Sequence, residues 1–316
     1  MVLKRASTLL WLVFFCAAAQ ASPAAETLFT KAEAELKSGV GPRYKALRAQ
    51  LDEYPLAIYL DYQALRQQLY GLKPDQAKEF LGRAQGSPLH NRFLAAYIQT
   101  KGLSRSWTDL LRVQEEVPRT PELQCYWYRA QWGTGNKTAA YRGASTLWNV
   151  GRSQEKACDP LFKVWLKDER PDDVLVWSRA LKAFDARSFG LLKYLRQFAS
   201  PALRPLLDEM LAIYKRPDRL VKDAHLPSVR HAELMTVGIR RLARVNPERG
   251  RLALVNAASV QPFTAVQYQS MESMIARHSL FAQSGTPDSW LHTTLSKLRD
   301  DELTEIHLRN HIADGN

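Results

Sequence analysis

Cys125 and Cys158 are the residues whose types could make a covalent cross-link in this 316-residue sequence. An even pair in an oxidising compartment reads as a disulfide. Closing a loop of that size stabilises by about 3–4 kcal/mol on the chain-entropy account. Two cysteines so far apart in sequence, with no paired histidine nearby, do not make a zinc site. His307 and His311 stand at i, i+4, a spacing that can turn two imidazoles to one helix face. The residue after His307 is Leu308, so the metalloprotease pattern with its glutamate base is absent, and no metal is assigned. Asp172-Asp173 and Asp300-Asp301-Glu302 read as acidic helix starts rather than acid–base pairs. The sequence contains no G-x-S-x-G, Walker A or G-x-G-x-x-G segment, and we expect no cofactor.

The compartment follows from the first residues. Lys4 and Arg5 precede an apolar run, Leu9 to Ala19, which is short for a membrane span. Ala19-Gln20-Ala21 has the A-x-A form of a cleavage site. We therefore read residues 1–21 as a secretory signal peptide and 22–316 as a domain exported to an oxidising compartment, with no later transmembrane anchor. Cleavage removes Cys16 and leaves the pair. The chain has 44 Lys and Arg against 32 Asp and Glu, a net +12; removing Lys4 and Arg5 lowers this by two, to +10. Such an excess attracts polyanions. Outside the cytoplasm these would be anionic wall polymers or membrane surfaces. No nucleic-acid motif or tight basic run is present, so we expect no nucleic-acid partner.

The elements that must position these residues are helical. Val174, Leu175, Ser178, Leu181 and Phe184 trace one face of a helix that begins just after Pro171. Leu191, Leu192, Leu195 and Phe198 start another, ended by Pro201. Met235, Ile239, Leu242 and Val245 form a third stripe, stopped at Asn246-Pro247, and Arg251 to Val260 a further short helix. No long period-2 run or Asn-Gly hairpin turn is present. Glycine and proline recur so often that each interval holds one short helix. Many short helices on short turns predict an all-α fold, an α-superhelix or solenoid of antiparallel helical hairpins. No strict repeat motif appears. No linker divides 22–316. Tyr126, Trp127, Tyr128, Trp132, Trp148, Phe162 and Trp165 crowd around the cysteines, mostly as packing between helices, with stacking on a saccharide as the alternative.

Gln124-Cys125-Tyr126-Trp127-Tyr128-Arg129-Ala130-Gln131-Trp132-Gly133-Thr134-Gly135 resembles a segment of the superhelical domain of soluble lytic murein transglycosylases. So do Leu147-Trp148-Asn149-Val150-Gly151-Arg152-Ser153-Gln154, the run Ala157 to Trp165, and the upstream stretch Glu53 to Tyr62. The resemblance implies a U-shaped superhelix. In the family this is closed into a ring by a small linker domain and followed by a lysozyme-like catalytic domain. The family cleaves peptidoglycan between N-acetylmuramic acid and N-acetylglucosamine and leaves a 1,6-anhydro end. One glutamic acid protonates the leaving oxygen, a role that a raised carboxyl pKa serves.

The family's catalytic segment has Glu-Ser ahead of a Gly-Leu-Met-Gln run. Met271-Glu272-Ser273-Met274 matches only the Glu-Ser pair, and Ile275-Ala276-Arg277-His278 follows it. We therefore read Glu272 as a solvated helix position and assign no catalytic residue. Because the sequence ends at Asn316, we expect a truncated form: an open arc whose helices near Leu303 to Ile312 lack packing partners. Such a chain would scaffold or bind glycan strands without cleaving them, with periplasmic wall proteins as further partners. The alternative is a stand-alone periplasmic solenoid adaptor.

Overall fold

The computed structural model describes residues 23–221, 227–282 and 286–313. The leader, Cys16 and its cleavage site lie outside these. The chain divides after Val117 into two compact units. Among the described residues every regular element is helical.

The first unit holds α1 (Pro23–Leu36), α2 (Pro42–Arg48), α3 (Ala57–Gln67), α4 (Pro74–Arg83), α5 (Pro88–Leu103) and α6 (Trp107–Val113). Prolines open α2, α4 and α5, where a missing N–H costs nothing because the first turn has no intrahelical acceptor for it. Ala32, Leu36, Tyr44, Leu51 and Leu60 form one core, and Phe80, Phe93 and Tyr97 anchor a second. Asp61, from the family-like upstream stretch, accepts from Arg48 Nε at 2.7 Å and Arg83 Nη1 at 2.8 Å. Burial works to raise this carboxyl, but the two guanidinium hydrogen bonds outweigh it and hold Asp61 below the usual carboxylate range.

The second unit holds α7 (Pro121–Gly133), α8 (Lys137–Trp148), α9 (Asp159–Asp168), α10 (Asp173–Asp185), α11 (Phe189–Leu195) and α12 (Arg204–Lys215). It continues through α13 (Val229–Val245), α14 (Pro247–Ala258), α15 (Ala265–Ala282), α16 (Asp288–Leu298) and α17 (Asp301–Ala313). Most of its helices pack on sequence neighbours, as in a solenoid: α7 on α8, α8 on α9, α10 on α11, and so on to α15 and α16. One core runs from Cys125 to Ile275, and a smaller one joins Ala276, Leu280, Leu291, Leu295 and Leu303.

The helix over 173–185 turns a different face inward from the one the apolar stripe indicates. Val174 is 70% exposed, while Val176, Trp177, Arg179, Ala180, Ala183 and Phe184 are buried. Small alanines let α10 approach its neighbours, and an arginine on the inner face breaks the apolar pattern that a sequence reading follows. The expected loose C-terminal end also differs. α17 packs on α15 and buries Leu303 and His307, although Leu308 and Ile312 remain exposed.

Close packing at one glycine fixes the turn after α8. A Cβ on Gly151 would lie 2.4 Å from the Lys182 carbonyl oxygen of α10 and 3.0 Å from Ala186 Cβ. Backbone is on the opposing side, so neither neighbour can yield cheaply. Gly151→Ala should therefore lower stability by about 1–3 kcal/mol in urea unfolding. Gly190→Ala, where an added Cβ meets nothing, should leave stability unchanged or raise it by up to about 1 kcal/mol.

Candidate functional site

The residues singled out around the cysteines form one assembly. In the structure Cys125 Sγ and Cys158 Sγ are bonded, with Cα atoms 4.8 Å apart across a sequence separation of 33. Both cysteines are fully buried. The bond ties α7 to the short turn that starts α9, and between its ends lies α8 with Trp148 at its last position. Trp148 is 1% exposed. Its ring meets Trp165 and Phe198 edge-on, each at a centroid distance of 5.8 Å. Of the aromatics in the block, Trp127, Trp148 and Trp165 are buried, and Tyr128, Trp132 and Phe162 pack partly buried against the core.

The segment after Trp148 is held against α10 by polar contacts. Ser178 Oγ hydrogen-bonds Asn149 Oδ1 at 3.2 Å, Lys182 Nζ donates to Asn149 O at 2.9 Å, and Arg179 Nε donates to Val150 O at 3.3 Å. Gln154 Nε2 reaches back to Leu147 O at 2.7 Å. The last three of these bonds satisfy the Leu147, Asn149 and Val150 carbonyls where α8 ends. The result is an open cleft of about 760 Å³, lined among others by Trp148, Gln154, Lys163, Lys167, Arg179 and Tyr194.

Arg179 is the unexpected member. It is 4% exposed, and its guanidinium lies over the Trp148 ring at 4.2 Å from the centroid. Desolvation lowers its pKa to about 10, so it stays charged at neutral pH. No carboxylate pairs with it among the described residues. Nothing in its sequence context marked it, because an arginine within a helix normally reads as part of a solvated face.

The other sequence candidates fall in different places. Asp172 Oδ1 accepts from Leu175 N at 2.8 Å, and Asp300 Oδ1 from Leu303 N at 3.1 Å, so both act as helix caps. Glu272 is not a solvated position: it is 6% exposed on α15 and lines a second cleft of about 530 Å³ with Phe263, Tyr268 and Lys297. Burial raises its carboxyl pKa against the smaller opposing effect of Lys297. His307 and His311 gather around Asp288, whose Oδ1 lies 3.5 and 3.1 Å from their Nε2 atoms. The three could present ligand atoms to one divalent cation, since these atoms all lie within 4.8 Å of one another.

The chain, all-helical among its described residues, is similar in sequence and fold to soluble lytic transglycosylases. It is 24% identical over 269 residues to the soluble lytic murein transglycosylase of Escherichia coli K12, covering 84% of this chain and 42% of that protein. It is 26% identical over 228 residues to the protein of the same name from Salmonella typhimurium, covering 72% and 35%. Thus the chain spans less than half the length of these relatives. Among solved structures, the 70-kDa soluble lytic transglycosylase of E. coli superposes with a TM-score of 0.71 at 21% identity, over 89% of this chain and 46% of that one. An inactive mutant of the lytic transglycosylase Slt from Pseudomonas aeruginosa gives a TM-score of 0.72 at 26% identity, over 90% and 46%. No family model matches the sequence. No described helix is long and apolar enough to cross a membrane.

Two measurements check this geometry. Cys125→Ala/Cys158→Ala, or full reduction, should lower the stability of the second unit by about 3–4 kcal/mol in chemical unfolding. Glu272 binds its proton more tightly folded than unfolded, so it costs no stability below the ordinary glutamate range. The cost appears as pH rises through the folded value. Glu272→Gln should accordingly melt higher than the parent at neutral pH, with the gap closing in acid. A gap that is constant with pH would show that the carboxyl is solvated.

Proposed function

We propose that this chain is the superhelical, glycan-engaging part of a peptidoglycan lytic transglycosylase, exported to the periplasm by the leader at residues 1–21. The observation that carries the reading is that sequence and fold agree on one kind of relative over most of the chain. The relatives are named for acting on murein, and the resemblance brings peptidoglycan to this chain as its ligand. The net charge of +12, or +10 without Lys4 and Arg5 of the leader, supports an anionic polymer partner. A disulfide buried in the core suits the oxidising compartment that the leader implies.

The part played by residues 22–316 is to hold and guide glycan strands rather than to break them. Glu272 is the residue that most nearly meets the requirements of a catalytic acid, since its carboxyl is buried and raised. It lacks the sequence context of the family's catalytic glutamate, because no Gly-Leu-Met-Gln run follows Glu272-Ser273.

The purified chain should cosediment with isolated sacculi in a salt-sensitive way. Chromatography of the supernatant should show no 1,6-anhydro muropeptides. Anhydro products abolished by Glu272→Gln would overturn the non-cleaving part of the proposal. A chain that stays in the supernatant at low salt would overturn the glycan-engaging part.

A further inference from the structure

The cleft over Trp148 presents a charge that the protein itself does not neutralise. Among the described residues one lysine and one arginine are almost completely buried: Lys101 at 2% exposure and Arg179 at 4%. Lys101 is treated as buried cations usually are. Its Nζ lies 3.3 Å from Asp109 Oδ2 and donates to Tyr70 O at 3.2 Å. Arg179 has one hydrogen bond, from Nε to Val150 O, and the Trp148 face beneath it. An arginine stacked this way keeps its in-plane N–H groups free. Here the Nη1 and Nη2 groups meet no acceptor among the described residues, and the side chain lines the open cleft.

The rest of the cleft has the same sign. Lys163 and Lys167 stand one turn apart on α9, both exposed and neither in an ion pair among the described residues. Asp159 is the single acid in the lining, so three cations face one carboxylate. Burying a cation without a partner costs several kcal/mol. That cost is sustained here by a turn locked on α10 and by an aromatic floor packed on Trp165 and Phe198. The guanidinium is therefore pre-oriented, and a ligand carboxylate could take two parallel hydrogen bonds without ordering the side chain first.

We propose that this cleft is a binding site for a carboxylate-bearing ligand, with the Arg179 guanidinium as its fork and Lys163 and Lys167 as its rim. Resting on the proposed function, the ligand class is the free carboxylates of a peptide attached to a wall sugar. Tyr194, 47% exposed at the edge of the cleft, offers an aromatic face beside the charged floor.

The test uses isothermal titration of the full chain with three probes: a disaccharide-tetrapeptide with free carboxyl groups, the same compound with its carboxyl groups amidated, and inorganic phosphate. The free-carboxyl compound should bind and the amidated one should bind at least tenfold more weakly. Arg179→Gln should weaken the free-carboxyl compound at least tenfold. Arg179→Lys, which keeps the charge and loses the fork, should recover only part of this. If Arg179→Gln proves poorly folded by circular dichroism, Lys163→Gln/Lys167→Gln changes only exposed residues and should still weaken binding severalfold. Equal binding of the amidated and free compounds, or indifference to both sets of variants, overturns the proposal. Phosphate binding through Arg179 without muropeptide binding overturns the carboxylate assignment. Sacculus binding that ignores Arg179→Gln removes this site and leaves the wall-engaging reading intact. Absence of sacculus binding by the parent chain removes that reading, while titration with the soluble compound still decides the site.

Discussion

The buried indole of Trp148 is the interaction on which the characteristic part of this molecule depends. Its edges take Trp165 and Phe198, and its face takes Arg179. Three helices and one turn are thus referred to a single rigid ring. The Cys125–Cys158 bond closes the chain around the same ring. Solenoids stack local units, and each unit must fix its own geometry because distant parts of the chain cannot help it. A large aromatic hub with a covalent clasp meets that requirement in a stretch where the helices are short.

The handling of buried charge divides the fold into settled and unsettled places. Asp61 is shared by Arg48 and Arg83, and Lys101 has Asp109. These groups are balanced, and each stiffens the packing around it. Arg179 and Glu272 are not balanced within the protein, and both open onto clefts. A fold that leaves a charge buried and unpaired carries a standing cost. At Arg179 the proposed ligand would supply the partner that packing does not.

Much of the architecture was legible in the sequence because its signals are local. Helix stripes at 235–242 and 191–195, prolines at helix starts and the cysteine–aromatic block all act within a turn or two of chain. The illegible parts involve contacts between elements. The inner face of α10 includes Arg179 and excludes Val174, since its partner surfaces are set by Trp148 and the turn after it. Glu272 is buried by neighbours that its own helix does not reveal. Three chain reversals use arginine in the left-handed region, Arg105, Arg187 and Arg299 with φ of 58°, 59° and 51°. Glycine is the usual marker of such turns, so these stops carried no signal. The trio Asp288, His307 and His311 was half visible: the histidine spacing could be read, while the aspartate arrives from another helix.

The surface over Trp148 is proposed to be preformed, charged and able to engage cell-wall fragments. Hydrogen exchange on the full chain, with and without a free-carboxyl disaccharide-tetrapeptide, tests it most directly. Slower exchange is expected, confined to the turn at 149–154, the α9 segment at 159–167 and the inner face of α10 around Arg179. Slowing located elsewhere in the chain, or no change at saturating ligand, would contradict it.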